Sequence, residues 1–479
     1  MLNREERKLH NEQSTWRTMQ QWKWVYYALQ TALLLLCVSL KIVFPLQLDN
    51  GKLICFCAVY ILISYSFHST YHALCVGEVR IRDLVLSQAL SHFFSAGVMY
   101  IGTVLYIHSF FNPLPLMGFI MVQISISMVW SVRVNSVYFQ KRTPPRTAIV
   151  YTGEDNLQDL YKSPFFLQKY NVCCLIENPK SDLEDIFPYL SDIETVFVTG
   201  ISATMENGIV KYCTEHGITA YIVPRLGHIL MGGAQYVPTF GIPVLLVERA
   251  GRLKNYRAMK RAMDMVLAFV GLIITSPLML VVAICIKLED GGPVFFKQTR
   301  LTENGREFQI LKFRSMIVDA EKDGVSRLAS TNDSRITKIG KIIRACRVDE
   351  LPQLINILVG DMSIVGPRPE RPEIAREYEK TLPGFSLRLQ VKAGLTGVAQ
   401  IYGCYNTTPY TKLQMDLMYI TRMDLFYDFK LIVATVKILL KKESTQGVNE
   451  GQTTAMATET SLTSAKDASK TVVKTGRNK

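Results

Sequence analysis

The residues best placed to do chemistry are the adjacent carboxylates Asp349 and Glu350. Pro352 and a short apolar run to Val359 follow them, and Gly360 closes that run. Because proline is tolerated in the first turn of a helix, this pattern predicts a short helix with both acids at its N-terminus. The start of a helix suits a bound phosphate, although acids there are also ordinary capping residues.

Cationic residues flank the carboxylate pair on both sides. A β-hairpin is predicted at 293–316, around a Glu-Asn-Gly turn, and a Gly-Pro-Arg-Pro turn carries Arg368. One carboxylate of such a pair can attack phosphorus while the other holds a divalent cation, for which oxygen ligands favour Mg²⁺. The upstream cations are Lys297, Arg300, Lys312, Arg314, Arg335, Lys338, Lys341, Arg344 and Arg347.

Apolar segments near the N-terminus predict a membrane block. We expect four transmembrane helices within 25–132, after a basic cytoplasmic N-terminus at 1–24; a soluble bundle is the alternative. The net charge of +13 then indicates contact with an anionic membrane surface rather than with nucleic acid. The individual segments are 25–44, 53–67, 84–111 and 114–132.

Strand-like and helix-like runs alternate over 146–240 and predict a small parallel α/β, Rossmann-like domain. The first strand ends in Tyr-Thr-Gly-Glu-Asp-Asn and lacks the glycine pattern of a dinucleotide site. A spacer role is therefore favoured over a nicotinamide site, and weak nucleotide binding stays open. The ten cysteines are scattered and are interpreted as reduced, apolar side chains.

A second membrane-type segment spans 265–286, with Ser276 and Pro277 in its middle. Proline removes a backbone hydrogen bond and bends a helix, and a serine hydroxyl can satisfy the carbonyl that is left. Lys260, Arg261 and Lys287 make both flanks basic, which favours a re-entrant helix over a full crossing. The sequence permits either.

Seven motifs follow one another in this half of the chain and resemble the bacterial sugar transferase family, the monotopic polyprenyl-phosphate hexose-1-phosphate transferases. The resemblance covers about 256–440, and the leading helices and α/β domain are similar to the long members that start exopolysaccharide, capsule or O-antigen (lipopolysaccharide) synthesis, typically with glucose or galactose. The motifs are K-R-x-x-D from Lys260, S-P at Ser276, P-V-F-F-K-Q-x-R from Pro293, K-F-R-S-M from Lys312, R-x-D-E-L-P-Q from Arg347, G-D-M-S-I-V-G-P-R-P from Gly360 and A-G-L-T-G-x-A-Q from Ala393.

The resemblance implies a mechanism in two steps. Asp349 would attack the sugar-linked phosphorus of a UDP-hexose and expel UMP, and undecaprenyl phosphate would then take the phosphosugar. Glu350 would bind Mg²⁺, Ser276 and Pro277 would break the re-entrant helix, and the role of Asp416 stays open. The candidate phosphate-binding residues are Arg347, Arg368, Lys297, Arg300 and Arg314.

The expected protein is thus a multi-pass protein of the bacterial inner membrane, with a compact α+β catalytic domain at 256–440 facing the cytoplasm and a disordered tail at 441–479. Its partners would be UDP-hexose, undecaprenyl phosphate and the bilayer, without nucleic acid; a homo-oligomer is left open. Two other functions remain as alternatives. One is an inactive membrane scaffold or regulator, against which the intact Asp349, Glu350 and Arg368 argue. The other is a sugar dehydratase or epimerase on the α/β domain, against which the missing glycine pattern argues.

Overall fold

The computed structural model describes residues 4–46, 48–152, 164–177, 183–239, 242–247, 254–318, 335–403, 408–439 and 472–475. The chain forms two compact units. The first comprises Met1–Val223 and Asp467–Lys479, and the second comprises Pro224–Lys466.

Four long helices open the first unit, as predicted: α1 (Arg4–Ser39), α2 (Asn50–Thr70), α3 (Ile81–Ile107) and α4 (Leu114–Lys141). The predicted polar segment at 1–24 is helical from Arg4 because it continues directly into the first apolar run. By length and composition, α2, α3 and α4 could cross a membrane, as could the later stretch Tyr256–Asp290.

Polar side chains meet where these four helices pack. The Tyr26 hydroxyl lies 3.1 Å from Nε2 of His68, 3.0 Å from Nε2 of His92 and 3.0 Å from Oγ of Ser127. All four side chains are buried. Because a polar group inside a helix bundle must find its partner there, this cluster joins all four helices.

The α/β domain follows with β1 (Arg146–Tyr151), α5 (Pro164–Lys169), β2 (Asn171–Glu177), α6 (Phe187–Leu190), β3 (Thr195–Thr199), α7 (Ala203–Glu215) and β4 (Thr219–Ile222). These four strands are parallel, in the order β2-β1-β3-β4, which confirms the predicted parallel sheet. The glycine-poor segment after β1, from residue 153, lies outside the described residues.

The predicted boundary of this domain at residue 240 differs from the structure. The first segment of the first unit ends at Val223. The second unit contains α8 (Leu226–Met231), β5 (Gln235–Thr239) and β6 (Ile242–Leu246). The reason is packing, because Ile229 of α8 is buried in the core of the second unit.

Most of the predicted disordered tail lies outside the described residues, but Val472–Thr475 form a strand, β11, antiparallel to β2 at the sheet edge. For these four residues the expectation of disorder was wrong. Two adjacent β-branched valines suit an edge strand.

The second unit continues with α9 (Lys254–Asp290) and the predicted hairpin, β7 (Phe295–Leu301) and β8 (Glu307–Phe313). Asn304 and Gly305 turn the hairpin with positive φ angles of 59° and 76°. The later elements are α10 (Lys338–Ala345), α11 (Gln353–Val359), β9 (Ser363–Val365), α12 (Pro372–Thr381), β10 (Gly394–Thr396), α13 (Val398–Tyr402), α14 (Pro409–Ile420) and α15 (Leu425–Leu439).

Helix α9 runs through Pro277 as one helix. The Ser276 hydroxyl donates to the carbonyl of Ile273 at 2.9 Å, which is the carbonyl that Pro277 cannot bond because it has no N–H. The compensation expected from the sequence is therefore present, although the helix is not interrupted there. One face of α9 leaves large apolar side chains exposed, including Phe269, Ile273, Ile274, Leu280 and Val281.

The N-terminal part of α9 is bonded to the rest of the unit. Lys260 forms an ion pair with the buried Asp428 at 2.8 Å. Arg261 donates to the carbonyls of Ile357 and Leu358, the last turn of α11. Asp264 accepts hydrogen bonds from Ser363 and from the backbone of Ile364 in β9. The K-R-x-x-D motif thus anchors the helix.

The C-terminal part of α9 packs against the same unit. Val282 and Ile286 share a buried cluster with Phe313 of β8 and Ile343 of α10. Just beyond them, Glu289 accepts a hydrogen bond from the backbone of Lys338 at 2.8 Å. Both ends of α9 therefore contact one compact domain.

Candidate active site

The carboxylate pair lies in a 3₁₀ turn, Val348–Glu350, immediately before α11. The sequence predicted both acids at the N-terminus of that helix, and the structure places them one turn earlier. The reason is Pro352, which has no N–H to continue the helical hydrogen bonds, so α11 begins after it. The predicted end of the helix is confirmed at Gly360, whose φ is +102°.

Three cationic side chains converge on one oxygen of Glu350. Its Oε1 lies 3.0 Å from Nζ of Lys312, 3.3 Å from Arg368 and 3.9 Å from Arg347. Burial would raise the pKa of the Glu350 carboxyl, but Lys312 and then the two arginines outweigh burial and hold that pKa well below its usual range. Glu350 is thus ionised at neutral pH.

Asp349 has the opposite environment. Its side chain is buried, and its Oδ1 has no hydrogen-bond partner among the described residues. Burial, followed by the neighbouring charge of Glu350, raises the pKa of the Asp349 carboxyl above its usual value. Two adjacent acids are therefore driven apart in pKa, which is a common arrangement where carboxylates have distinct roles in catalysis.

The loop that carries Arg368 is held by β10 through close backbone contacts. The N–H of Gly366 donates to Thr396 at 2.8 Å, and the N–H of Gly394 donates to Pro367 at 2.9 Å. A Cβ atom at Gly394 would collide with the backbone of Gly366. Glycine is required at this crossing because the two chains touch, and the crossing fixes the position of Arg368.

A buried ion pair supports the same loop from behind. Arg388 donates to the carbonyl of Arg368 at 2.9 Å and lies 2.7 Å from the carboxylate of Asp416. Burial raises the pKa of Asp416 to about 6, against the opposing effect of Arg388. Asp416, whose role the sequence left open, is therefore the counter-ion of the arginine that positions the loop.

The remaining predicted phosphate-binding residues lie elsewhere. Arg300 donates to the carbonyl of Pro369 at 3.1 Å, next to the Arg368 loop, and burial lowers its pKa to about 10. Arg314 is buried and paired with Asp290 at the end of α9. Lys297 is exposed on β7. The structure thus brings Arg347 and Arg368 to Glu350, Arg300 to the loop, and the other two to neither.

Lys312 lies in the site, although the sequence indicated it only as one of several cations on the hairpin. It follows Phe308 and Ile310, which alternate toward the interior of β8 and are both buried. Period-two alternation therefore puts Lys312 on the inner face, whereas Lys297 pairs across the hairpin with Leu311 on the other face. A lysine on the buried face of a strand is the sequence feature that could have indicated a site residue here.

The donor set fits Mg²⁺ shared with a substrate. No cluster of three or more His, Cys, Asp or Glu side chains suited to a metal occurs in the described part of the chain. Magnesium, however, is commonly held by one or two carboxylates together with substrate phosphates and water. Glu350 and the unpartnered Oδ1 of Asp349 can supply such oxygens.

Known proteins match the second half of the chain. A family model described as bacterial sugar transferase matches residues 255–442. The UDP-N-acetylgalactosamine-undecaprenyl-phosphate N-acetylgalactosaminephosphotransferase of Aeromonas hydrophila is 39% identical over 188 residues, 39% of this chain and 44% of that protein. The UDP-glucose:undecaprenyl-phosphate glucose-1-phosphate transferase of Escherichia coli K12 is 40% identical over 211 residues, 43% of this chain and 44% of that protein.

The chain thus spans less than half the length of those two relatives. A shorter relative, the exopolysaccharide production protein PSS of Rhizobium leguminosarum bv. phaseoli, is 38% identical over 187 residues, 37% of this chain and 93% of that protein. A match over nearly the whole of that relative, together with the family match, identifies the chain as a member of the bacterial sugar transferase family.

Proposed function

We propose that this protein transfers a hexose-1-phosphate from a UDP-hexose to undecaprenyl phosphate, releases UMP, and so starts the synthesis of an exopolysaccharide, capsule or O-antigen. The observation that carries the proposal is the pairing of a buried, unpartnered Asp349 oxygen with an adjacent Glu350 that gathers three cations. The names of the Aeromonas and Escherichia relatives, both undecaprenyl-phosphate sugar-phosphate transferases, support the same reaction class.

In the first step a carboxylate oxygen of Asp349 attacks the sugar-linked phosphorus of the UDP-hexose. A new O–P bond forms, the bond from phosphorus to the bridging oxygen breaks, and UMP leaves with that oxygen and its electron pair. In the second step a phosphate oxygen of undecaprenyl phosphate attacks the same phosphorus, and Asp349 is released as a carboxylate. Covalent catalysis of this kind divides one difficult displacement into two easier ones.

The cations around Glu350 suit the charge of this reaction. Lys312, Arg347 and Arg368 lie within 4 Å of one carboxylate oxygen of Glu350, so a diphosphate bound beside Glu350 would have three positive groups nearby. Preorganised charge of this sort stabilises developing negative charge without further rearrangement. Glu350 would hold Mg²⁺, which as a Lewis acid would further neutralise the diphosphate.

We also propose that α9 is re-entrant and that the catalytic domain lies on the cytoplasmic face of the inner membrane. The support is that Lys260 and Arg261 near one end of α9, and Ile286 and Glu289 near the other, contact the same domain. A full crossing would require this one domain to reach both faces of the bilayer. The exposed apolar face of α9 would instead lie among the lipids.

The transfer reaction is tested with purified membranes, a panel of UDP-hexoses and undecaprenyl phosphate, following UMP and the lipid product. Asp349→Asn should abolish transfer while the protein remains inserted and at least as thermally stable as wild type, because a buried charge is removed. Asp424→Asn is the matched control, since asparagine keeps the helix cap that Asp424 provides to Tyr427. Normal turnover by Asp349→Asn would contradict the nucleophile assignment, and no turnover of any hexose by the wild type would favour the scaffold alternative.

A further inference from the structure

A large groove runs between α1 and α2 in the first unit. Its volume is about 1040 Å³. Small and aliphatic side chains line most of its length, among them Ala32, Leu35, Ala58 and Leu62. Leu62 is 70% exposed, and exposed leucine on a membrane-length helix is expected to face lipid.

One end of the groove is polar. Lys23, Tyr27, Ser69 and His72 line it where α1 begins its apolar part and α2 ends. The Tyr27 hydroxyl is buried and has no hydrogen-bond partner in the described part of the chain. An ammonium group, an imidazole and two hydroxyls together form a set of donors suited to a phosphate.

The apolar part has the depth of one leaflet. Lys23 and Leu35 are separated by about 18 Å of helix, and Ala58 and Ser69 by about 17 Å. Half of the hydrocarbon core of a bilayer is about 15 Å. The groove therefore matches an acyl chain that enters from one side of the membrane and ends near its middle.

The floor of the groove joins the polar cluster of the helix bundle. His68 lines the groove and also contacts the Tyr26 hydroxyl, which in turn contacts His92 and Ser127. A molecule seated in the groove would thus lie next to a buried polar network that joins all four helices.

We propose that this groove binds one anionic phospholipid of the cytoplasmic leaflet, with an acyl chain along Ala32 and Ala58 and the headgroup phosphate at Lys23 and His72. The basic N-terminus and the arginines that begin α3 place the polar end of the groove on the cytoplasmic side. An undecaprenyl chain is much longer than one leaflet is deep, which favours a phospholipid as the occupant. The site is independent of the transferase centre, so neither proposal stands or falls with the other.

The test uses the full chain, reconstituted with phosphatidylglycerol and phosphatidylcholine and then extracted in mild detergent. Native mass spectrometry counts the lipids that remain bound. Wild type should retain one phosphatidylglycerol in preference to phosphatidylcholine. Lys23→Gln should lower that retention about fivefold, the effect of one juxtamembrane cation. Ala32→Trp should abolish it by filling the groove.

Two variants serve as matched controls. Arg82→Gln removes an exposed cation at the same end of the bundle but outside the groove, and Val129→Trp adds the same bulk to an exposed position on α4. Both should retain phosphatidylglycerol as wild type does. Equal retention in Lys23→Gln and wild type would overturn the headgroup site. Displacement of phosphatidylglycerol by stoichiometric undecaprenyl phosphate would instead assign the groove to the acceptor lipid and overturn the phospholipid.

Discussion

Glu350 is the residue on which the charges of the site converge, and Lys312 is its nearest cation at 3.0 Å. Burial lowers the pKa of the Lys312 ammonium, and the Glu350 carboxylate opposes that effect. The two side chains therefore depend on each other, since each would be costly to bury alone. This mutual dependence makes Lys312 a sensitive position for mutation.

Replacing Lys312 by methionine should lower kcat/KM for hexose-phosphate transfer about 100-fold, the usual effect of removing one preorganised donor from a reacting charge. Steady-state UMP release measures it. Lys341→Met, which removes an exposed lysine from α10, is the control and should change kcat/KM little. An unaltered kcat/KM in Lys312→Met would contradict the placement of Lys312 in the site.

Asp416 gives a prediction in pH. Its folded pKa, raised by burial to about 6, lies above the ordinary 3.8. The folded chain therefore holds this proton more tightly than the unfolded chain, so the contribution of Asp416 to stability is full below about pH 4 and is lost as the pH rises through about 6. Below pH 6, however, protonation removes the counter-ion of Arg388 and loosens the Arg368 loop.

The Tm of wild type should accordingly fall relative to the Tm of Asp416→Asn as the pH rises from 4 to 7. Because of the same protonation, the kcat/KM of wild type should fall as the pH drops below about 6. The kcat/KM of Asp416→Asn should show no such fall, and its maximum should be lower than that of wild type. Differential scanning calorimetry and UMP release over this pH range measure the two effects. A Tm difference that is constant from pH 4 to 7 would show that Asp416 does not titrate as proposed.

The sequence could predict that Asp349, Glu350, Arg347 and Arg368 lie together, because motifs fix their order and neighbours. Alternation along β8 separates Lys312 from Lys297, but Arg314 follows Lys312 by two positions and shares its face. Only tertiary contacts tell these two apart, because Lys312 pairs with Glu350 and Arg314 pairs with Asp290.

Among the elements, α9 is the one on which the proposed membrane placement of the site depends. It is one helix from Lys254 to Asp290, and Ser276 compensates Pro277 locally. The serine–proline pair and the basic flanks were readable from sequence because they are local. The contacts of both helix ends with one domain were not, because they join residues far apart in the chain.

Cysteine labelling tests the re-entrant form of α9. Met259→Cys and Leu288→Cys introduce thiols at exposed positions near the two ends of the helix, in a chain whose native cysteines are replaced. A membrane-impermeant maleimide should label both thiols in inside-out vesicles and neither in intact spheroplasts. Labelling of the two positions from opposite sides would establish a full crossing instead.

The hairpin, α11 and the turn before it were also predictable only where their cause is local in the sequence. The hairpin was predictable from alternation and its Glu-Asn-Gly turn, and the end of α11 from Gly360. The displacement of the acid pair into a 3₁₀ turn was foreseeable in part, since Pro352 limits where the helix can begin.

In the whole molecule, the residues of the candidate active site all lie in the second unit. Domain order followed from sequence because composition and hydrophobic period change along the chain. The boundary at Val223 could not be predicted from sequence. Helix α8 belongs to the second unit because Ile229 is buried in the core of that unit, among residues that are distant in the chain.

Asp349 is proposed to carry the phosphosugar between donor and acceptor. The most direct test incubates the purified protein with a UDP-hexose that is radiolabelled in its sugar-linked phosphate, without undecaprenyl phosphate. We expect a burst of UMP equal to the active protein, and label on the peptide that contains Asp349. The label should be lost when undecaprenyl phosphate is added, and Asp349→Asn should show neither burst nor label. Release of UMP only when the acceptor is present, with no label on the protein at any time, would mean direct transfer and would rule out a covalent role for Asp349.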